Sequence, residues 1–273
     1  MKVNNIRGQE TLINEVSNIF RIFKTSGGLI RPHFFVTGGS GSGKTFTVKS
    51  LCDSMQLPFV EVNAAQITKE GMSGNSLSKV LVPVGSKGQR PVVVFVDEFD
   101  KLFISGNSGG PANESTIGVQ NEFLKVLESP TTQVFGDYGK YNTIDISKTL
   151  FVFAGAFNNT EDMTLDKLRD FGVKTEFLGR VGLIYNTKPL SHEDLIYILN
   201  NSYLLEQYLS LYDNVSRTDV IGAISDRLNA IEEFNTLGAR IINTLIHQYF
   251  ITGGKSWEAS VNKVSFNKKL TFE

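Results

Sequence analysis

The feature that most constrains this chain is a glycine-rich segment placed between an apolar run and a helical run. Residues 38–45 read Gly-Gly-Ser-Gly-Ser-Gly-Lys-Thr, which fits the pattern G-x-x-x-x-G-K-[ST]. The largely apolar residues 33–37 predict a short buried strand directly before the segment, and residues 44–55 predict a helix directly after it. Glycines let backbone N–H groups close around phosphate oxygens, and a following helix adds its positive N-terminal end. We therefore interpret the segment as a phosphate-binding loop rather than as a flexible glycine turn.

This loop predicts ATP and Mg²⁺ as ligands. Lys44 is expected to contact the β- and γ-phosphates, and the Thr45 hydroxyl is expected to ligate Mg²⁺. The residues expected to contact the nucleotide along this stretch are Gly39, Ser40, Gly41, Ser42, Gly43, Lys44, Thr45 and Phe46.

A second motif supplies the carboxylates that ATP hydrolysis needs. Residues 91–97 are apolar on both faces, as in a central parallel strand, and the strand ends in Asp97 followed by Glu98. Asp97 is expected to hold Mg²⁺ through water, and Glu98 to polarise the attacking water as general base. An acidic loop after a strand is common by itself, but the upstream phosphate-binding loop favours a Walker B motif and therefore catalysis.

The order of elements predicts an α/β fold of the P-loop NTPase type. Residues 59–63, 150–154 and 182–185 read as three further strands, and helical patterns such as 8–23 and 118–128 separate most of the strands. Strands that alternate with helices form a parallel sheet with helices on both faces. We therefore expect a five-stranded parallel sheet flanked by helices.

The chain becomes mainly helical after Pro189. We expect a large α/β nucleotide-binding domain over residues 1–189 and a small, mainly helical lid domain over residues 190–273. Ser191 and Asp194 have the spacing of a capping box, which predicts the start of a helix. The other elements expected are a hairpin around 134–141, two more helices near 220–231 and 238–250, and a terminal strand over 264–272.

Composition limits the classes of partner and compartment. Lys and Arg number 27 against 28 Asp and Glu, so net charge gives no reason to bind nucleic acid or an anionic membrane. The single cysteine, Cys52, excludes an internal disulfide and a Cys-based zinc site, which favours an intracellular, cytoplasmic protein. We expect no signal peptide and no membrane span. The three histidines lack ligand spacing, so we expect no metal site built from protein side chains alone.

Six short segments, in order, resemble the AAA+ modules of the protein unfoldases ClpX and HslU. The family patterns are I-I-G-Q, D-E-I-D-K, G-V-Q-x-x-L-L-K-x-x-E, a strand that ends in G-A-F, E-F-I-G-R, and G-A-R. The matching segments here are 6–9, 97–101, 118–128, 151–157, 176–180 and 238–240. Each segment is a weak signal alone, whereas six in the right order are a strong one.

The resemblance assigns roles to further residues. It implies that Ile6 borders the adenine and that Arg180 is an arginine finger, which reaches the γ-phosphate bound by a neighbouring subunit. It implies that Arg240 is sensor 2, which contacts the nucleotide of its own subunit. Asn158, the polar residue after the fourth strand, is the candidate for sensor 1, although the G-A-F strand does not align cleanly with other AAA+ proteins.

The chain departs from the family at the pore loops. Residues 71–74 read Gly-Met-Ser-Gly where the unfoldases have G-Y-V-G, so Met72 would replace the aromatic residue that grips polypeptide. A methionine can grip softly, and it can equally be an ordinary loop residue that packs locally. Residues 105–116, rich in Gly, Ser and Asn, lie where a second pore loop would be.

Larger departures concern the partner peptidase. Residues 157–171 leave little room for the insertion with which ClpX docks its peptidase. We expect a minimal module without the zinc-binding N-domain or the HslU intermediate domain. A ClpP-type peptidase is therefore not an expected partner.

These observations favour a homo-oligomeric ring that hydrolyses Mg-ATP and remodels or unfolds a protein substrate, with or without an adaptor. The resemblance to the family implies that the ring is a hexamer. Two alternatives stay open. One is a loader or clamp that acts on nucleic acid or the replication machinery, which the near-neutral charge disfavours. The other is a regulatory ATPase that binds a partner and translocates nothing.

Overall fold

A computed structural model of the chain describes residues 6–70, 74–103, 114–231 and 237–254. This part of the chain divides into two compact units. The first contains residues 9–39 and the described residues of 44–187, and the second contains residues 6–8, 40–43 and the described residues from 188 onward. The predicted strand over 264–272 and most of the segment 105–116 lie outside the described residues.

The first unit is built on a five-stranded sheet in which every pairing is parallel. Its strands are β1 (Phe34–Thr37), β2 (Phe59–Asn63), β3 (Val92–Asp97), β6 (Thr149–Gly155) and β7 (Leu183–Asn186). Their order across the sheet is β2-β3-β6-β1-β7. The predicted five-stranded parallel sheet is confirmed, and all five strands lie within a residue or two of their predicted positions.

Helices cover the sheet, as the alternating pattern predicts. In chain order the helices of this unit are α1 (Glu10–Thr25), α2 (Lys44–Ser54), α3 (Leu77–Val80), α4 (Val82–Gly85), α5 (Glu114–Glu128), α6 (Leu165–Asp170) and α7 (Thr175–Arg180). Short 3₁₀ turns occupy Ala64–Gln66, Phe99–Leu102 and Phe157–Asn159. The predicted hairpin is present, with strands β4 (Thr131–Phe135) and β5 (Tyr141–Asp145) paired antiparallel.

The sheet separates two apolar layers. Successive side chains of a strand point to opposite faces, so Phe35 joins one layer while Phe34 and Val36 join the other. The first layer is rich in phenylalanine; the ring centroids of Phe99 and Phe153 lie 4.7 Å apart. The second layer is closed by the apolar faces of α1 and α2. The many phenylalanines of the sequence are thus largely explained as core packing.

The second unit is helical, as predicted, but it contains one helix more than the sequence indicated. Its helices are α8 (His192–Asn200), α9 (Tyr203–Leu209), α10 (Arg217–Ile231) and α11 (Arg240–Ile251). The capping box is confirmed, since the Ser191 and Asp194 side chains each bond to the backbone N–H of the other. The helix α9 was not predicted, because its seven residues are too few to establish a helical period.

The part of the chain that the structure describes contains neither a candidate membrane span nor a cluster of metal-ligating side chains. No helix in the described ranges is long and apolar enough to cross a membrane. Within those same ranges, no cluster of three or more His, Cys, Asp or Glu side chains could hold a metal ion. Cys52 is fully buried in α2, and burial raises the pKa of its thiol. This thiol is therefore unreactive in the folded protein.

His33 is a buried histidine that the fold keeps neutral. It is only 8% exposed, and its Nδ1 accepts a hydrogen bond from the backbone N–H of Phe151 at 3.0 Å. Burial, with a smaller effect of the positive charge on Arg31, lowers the pKa of His33 to about 4. Protonation of His33 would leave a charge in the core and break the bond to Phe151.

We expect this histidine to make folding stability depend on pH. Since the folded pKa is depressed, the unfolded state binds the extra proton between about pH 4 and 6.5, so stability falls as pH is lowered through that window. Between pH 7 and pH 5 this group should remove about 2 kcal/mol of unfolding free energy. Urea unfolding at both pH values measures the loss. His33→Asn, whose side-chain oxygen can accept the same bond, should lose markedly less, and an equal loss in both proteins would contradict the assignment.

Candidate functional site

The two predicted motifs meet at the carboxyl end of the sheet. Thr45 lies in the first turn of α2, Asp97 ends β3, and the Thr45 hydroxyl donates a hydrogen bond to Asp97 Oδ2 at 2.9 Å. The other carboxylate oxygen, Oδ1, accepts the backbone N–H of Glu98 at 2.8 Å. A hydroxyl and a carboxylate side by side form a hard oxygen donor set of the kind that Mg²⁺ prefers. The residues present therefore fit a magnesium ion.

Lys44 lies against the start of its own loop. Its Nζ donates to the carbonyl oxygens of Gly38 at 2.6 Å and of Gly39 at 2.8 Å. A phosphate oxygen is a charged and stronger acceptor than a peptide carbonyl. A bound phosphate would therefore compete with these two carbonyls for the ammonium group of Lys44.

The start of the loop requires glycine at position 38. Gly38 has a φ of +135°, and a Cβ there would lie 2.0 Å from the Thr187 hydroxyl oxygen. The backbone N–H of Thr187 also donates to the carbonyl of Thr37 at 2.8 Å. This contact holds the chain close at the point where β1 passes into the loop.

Within the second unit, residues 40–43 contact the start of α11. Arg240 Nη1 donates to the Ser40 hydroxyl at 2.8 Å, and the backbone N–H of Ala239 donates to the Gly41 carbonyl at 3.0 Å. The structure therefore places the predicted sensor 2 arginine beside the glycine-rich loop. Ile6, predicted to border the adenine, is buried. Phe46, predicted to contact the nucleotide, is 43% exposed on α2 of the first unit.

Glu98 has an unusual backbone. Its φ of 55° and ψ of 31° are left-handed, a conformation that few residues other than glycine adopt. Such a residue costs about 1 kcal/mol or more, and residues of this kind concentrate at active sites. The predicted general base is exposed and stands at the end of β3 on a strained turn.

The turn after β6 is left-handed over three consecutive residues. Phe157, Asn158 and Asn159 have φ values of 44°, 56° and 57°. The Asn159 side-chain oxygen lies 3.7 Å from the position that a Cβ on Gly39 would occupy. The sequence named Asn158 as sensor 1, whereas the structure brings its neighbour Asn159 to the loop. The sensor 1 assignment stays a prediction.

Asn186, which the sequence did not single out, connects three segments of the first unit. Its Oδ1 accepts the Thr37 hydroxyl and the Met163 backbone N–H, both at 2.7 Å. Its Nδ2 donates to the Met163 carbonyl at 3.1 Å. The sequence could have indicated Asn186, because it is a polar residue at the carboxyl end of a strand. Open α/β sheets bind ligands at the edge where the carboxyl ends of their strands lie.

Arg180, the predicted arginine finger, ends α7 in an ion pair with Glu128 at the end of α5. Its Nη1 also donates to the carbonyl of Glu176 at 3.0 Å. The Arg180 side chain is 39% exposed, so it is held in place and still reaches solvent. The sequence did not identify Glu128 as its partner. The predicted pore-loop residue Met72 lies outside the described residues.

Comparison with known proteins identifies the family. Residues 34–177, more than half of the chain, match the profile of the ATPase family associated with various cellular activities, AAA. This chain belongs to the AAA family. The matched stretch of this AAA protein contains both motifs of the site and ends inside α7.

Three relatives of the chain are ClpX or HslU proteins. The ATP-dependent Clp protease ATP-binding subunit ClpX 2 of Wolinella succinogenes is 28% identical, over 67% of this chain and 55% of that protein. ClpX of Treponema denticola is 26% identical, over 81% of this chain and 65% of that protein. The ATP-dependent protease ATPase subunit HslU of Thermoanaerobacter pseudethanolicus is 29% identical, over 71% of this chain and 41% of that protein. The AAA protein described here is thus an AAA+ module of the ClpX/HslU type, and it spans less than two thirds of the length of these relatives.

Proposed function

We propose that this AAA module binds Mg-ATP and hydrolyses it. The observation that supports the proposal best is the 2.9 Å contact between the Thr45 hydroxyl and Asp97, with Glu98 next in the chain and Lys44 one residue before Thr45. Mg²⁺, held by Thr45 and through water by Asp97, would neutralise charge on the β- and γ-phosphates. Lys44 would turn from the carbonyls of the loop to the phosphates.

Hydrolysis would then proceed by attack of water on the γ-phosphorus. Glu98 would accept a proton from that water as the new P–O bond forms, and the bond to the β-phosphate oxygen would break to release ADP and phosphate. The exposed position of Glu98 after β3 suits a base that must meet a water molecule. The Asn159 amide, near Gly39, would bond to the attacking water or to the γ-phosphate.

We propose that each site is completed by a second copy of the chain. Arg180 is partly exposed and lies in contact with α5 and its own helix α7, so its guanidinium would serve a neighbouring subunit. A cation supplied across an interface stabilises charge on the transferred phosphoryl group. Arg240 would contact the nucleotide of its own subunit. A head-to-tail interface forms a ring when its rotation closes. A closed ring, and a hexamer in particular, is proposed from the family resemblance.

We propose that the ring remodels a polypeptide. The ClpX and HslU relatives are named as ATP-binding or ATPase subunits of ATP-dependent proteases. Polypeptide is therefore favoured over nucleic acid, and the net charge of −1 supports the same choice. The change of state would be a movement of the lid, residues 190–273, driven by the nucleotide.

The test compares two kinds of polymer as activators of ATP hydrolysis. Reduced, carboxymethylated α-lactalbumin, a permanently unfolded polypeptide, should raise the ATPase rate, whereas single-stranded DNA should leave it unchanged. Met72→Ala should weaken the polypeptide response and retain the basal rate. Activation by DNA alone would favour the loader alternative. No response to either polymer, with normal basal hydrolysis, would favour a regulatory ATPase.

A further inference from the structure

Residues 6–8 precede the sheet in the chain, yet they pack with the helical second unit. That unit also contains residues 40–43 of the glycine-rich loop and the described residues from 188 onward. Ile6 is buried, and the chain passes into the first unit at residue 9. The short segment 6–8 is therefore held by side chains of the second unit, and two contacts with α8 show how.

Gly8 makes the first contact, at the start of α8. Its φ of +72° favours glycine, and a Cβ there would lie 2.7 Å from Asp194 Oδ2 and 3.2 Å from Leu190 Cδ2. The same Asp194 oxygen accepts the Ser191 backbone N–H at 3.0 Å in the capping box. The backbone at residue 8 thus passes directly against the capped end of the helix, and any larger residue would push it away.

Arg7 makes the second contact, with the ring of Tyr197. Its guanidinium carbon, Cζ, lies over that ring at 4.3 Å from the centre. This distance is well inside the range of about 6 Å over which a cation is attracted to an aromatic face. Asp194 and Tyr197 are three residues apart in α8, so they share one face of the helix. That face therefore holds two successive residues of the segment.

The pair of Arg7 with Tyr197 occupies a position where this chain departs from the family pattern. The pattern reads I-I-G-Q, whereas residues 6–9 here read Ile-Arg-Gly-Gln, so an arginine replaces an apolar residue. Burying an unpaired guanidinium is costly, but stacking on a ring lets the polar edge of the group stay in water. Arg7 is exposed and Tyr197 half-buried, as this arrangement requires. The stacked pair can thus hold the segment in place of apolar packing.

We propose that Arg7 and Tyr197 are positioning residues that hold Ile6 where it contacts the base of the bound nucleotide. The inference rests on the proposed function, because its ligand is the Mg-ATP of that proposal. The segment 6–8 and residues 40–43 of the glycine-rich loop belong to one compact unit, so the pair fixes the segment within the same body as that part of the loop. The pair would therefore set how strongly the site prefers a nucleotide to phosphates without a base.

The test compares the affinity for Mg-ATP with that for Mg-tripolyphosphate, which has the phosphates without base or ribose. Arg7→Ala and Tyr197→Leu should each weaken ATP binding by about two- to fivefold, the effect of an exposed cation–π pair, and leave tripolyphosphate binding unchanged. Since the two residues act together, the double variant should bind ATP no more weakly than the weaker single variant. Tyr197→Phe keeps the ring face and should stay near wild type. In steady-state hydrolysis, KM should rise while kcat is retained.

The matched control is Tyr203→Leu, the same change at a tyrosine of the same unit that is 76% exposed, and it should alter neither affinity. If the wild type prefers ATP and both Arg7→Ala and Tyr197→Leu keep the full preference, the inference is overturned and the proposed function stands. A variant that loses both affinities together would assign the pair a purely structural role, which also contradicts the inference. Equal affinity of the wild type for the two ligands would exclude a base contact. A wild type that binds neither ligand would refute the proposed function itself.

Discussion

Glu98→Gln is expected to reduce ATP hydrolysis by about 100-fold to 10,000-fold, the range for loss of a general base. The amide cannot accept the proton of the attacking water, while Thr45, Asp97 and Lys44 are left in place. Binding of a fluorescent ATP analogue should therefore stay near wild type. The folded state should also keep its stability, because Glu98 is exposed and glutamine suits the same backbone equally well.

Steady-state phosphate release measures the effect, with nucleotide affinity measured in parallel. Glu61→Gln is the matched control: it makes the same change at an exposed residue of the neighbouring strand β2. A Glu98→Gln protein that retains more than a tenth of the wild-type rate would remove Glu98 from the role of general base. In ATP, the inactive variant should also trap the assembled state, which sizing would detect.

Arg180→Ala is expected to reduce the ATPase rate by about 1,000-fold or more, as for other arginine fingers supplied by a second molecule. The loss should be in catalysis rather than in nucleotide affinity. Arg169→Ala is the control, because Arg169 is also an exposed, ion-paired arginine on a short helix, bonded to Asp166 at 2.8 Å. Surface pairs of this kind contribute little, so this variant should be active.

Mixing the two inactive proteins separates action across an interface from action within one subunit. An Arg180→Ala subunit still has Glu98, and a Glu98→Gln subunit still has Arg180. Where the second subunit supplies its arginine to the site of the first, that site has every catalytic group. At equal amounts about a quarter of the interfaces in random rings should be of this type, so activity should return. If mixing restores nothing while both variants still assemble, Arg180 does not act on a neighbouring site.

The sequence was sufficient to predict the parallel sheet, because the patterns that indicate its strands are strong and local. Residues 92–96 are apolar on both faces, as in a central parallel strand, and residues 38–45 have a spacing that few other loops share. The contact of Thr45 with Asp97 could also be predicted, since parallel strands bring their carboxyl ends to one edge.

The parts that were missed depend on long-range contacts or on backbone detail. The pairing of Arg180 with Glu128 joins α7 to α5, and neither residue carries a pattern that names the other. The position of the Asn159 amide near Gly39 depends on three left-handed residues in a row, which no propensity indicates. The three residues that bond to Glu70 come from three separate elements, so no local pattern of the sequence connects them to it.

The left-handed turn at residues 157–159 implies a conflict between thermal stability and activity. Glycine would adopt these φ angles without strain, so a glycine at any of the three positions would relax the backbone. Yet a phenyl ring that fills the core and an amide beside Gly39 are both attached to this turn. Selection for heat resistance alone would keep the Phe157 ring but would favour glycine at position 159, where it would discard the amide proposed to act on the γ-phosphate, so the most heat-stable variants of this protein would be poorer catalysts under that proposal.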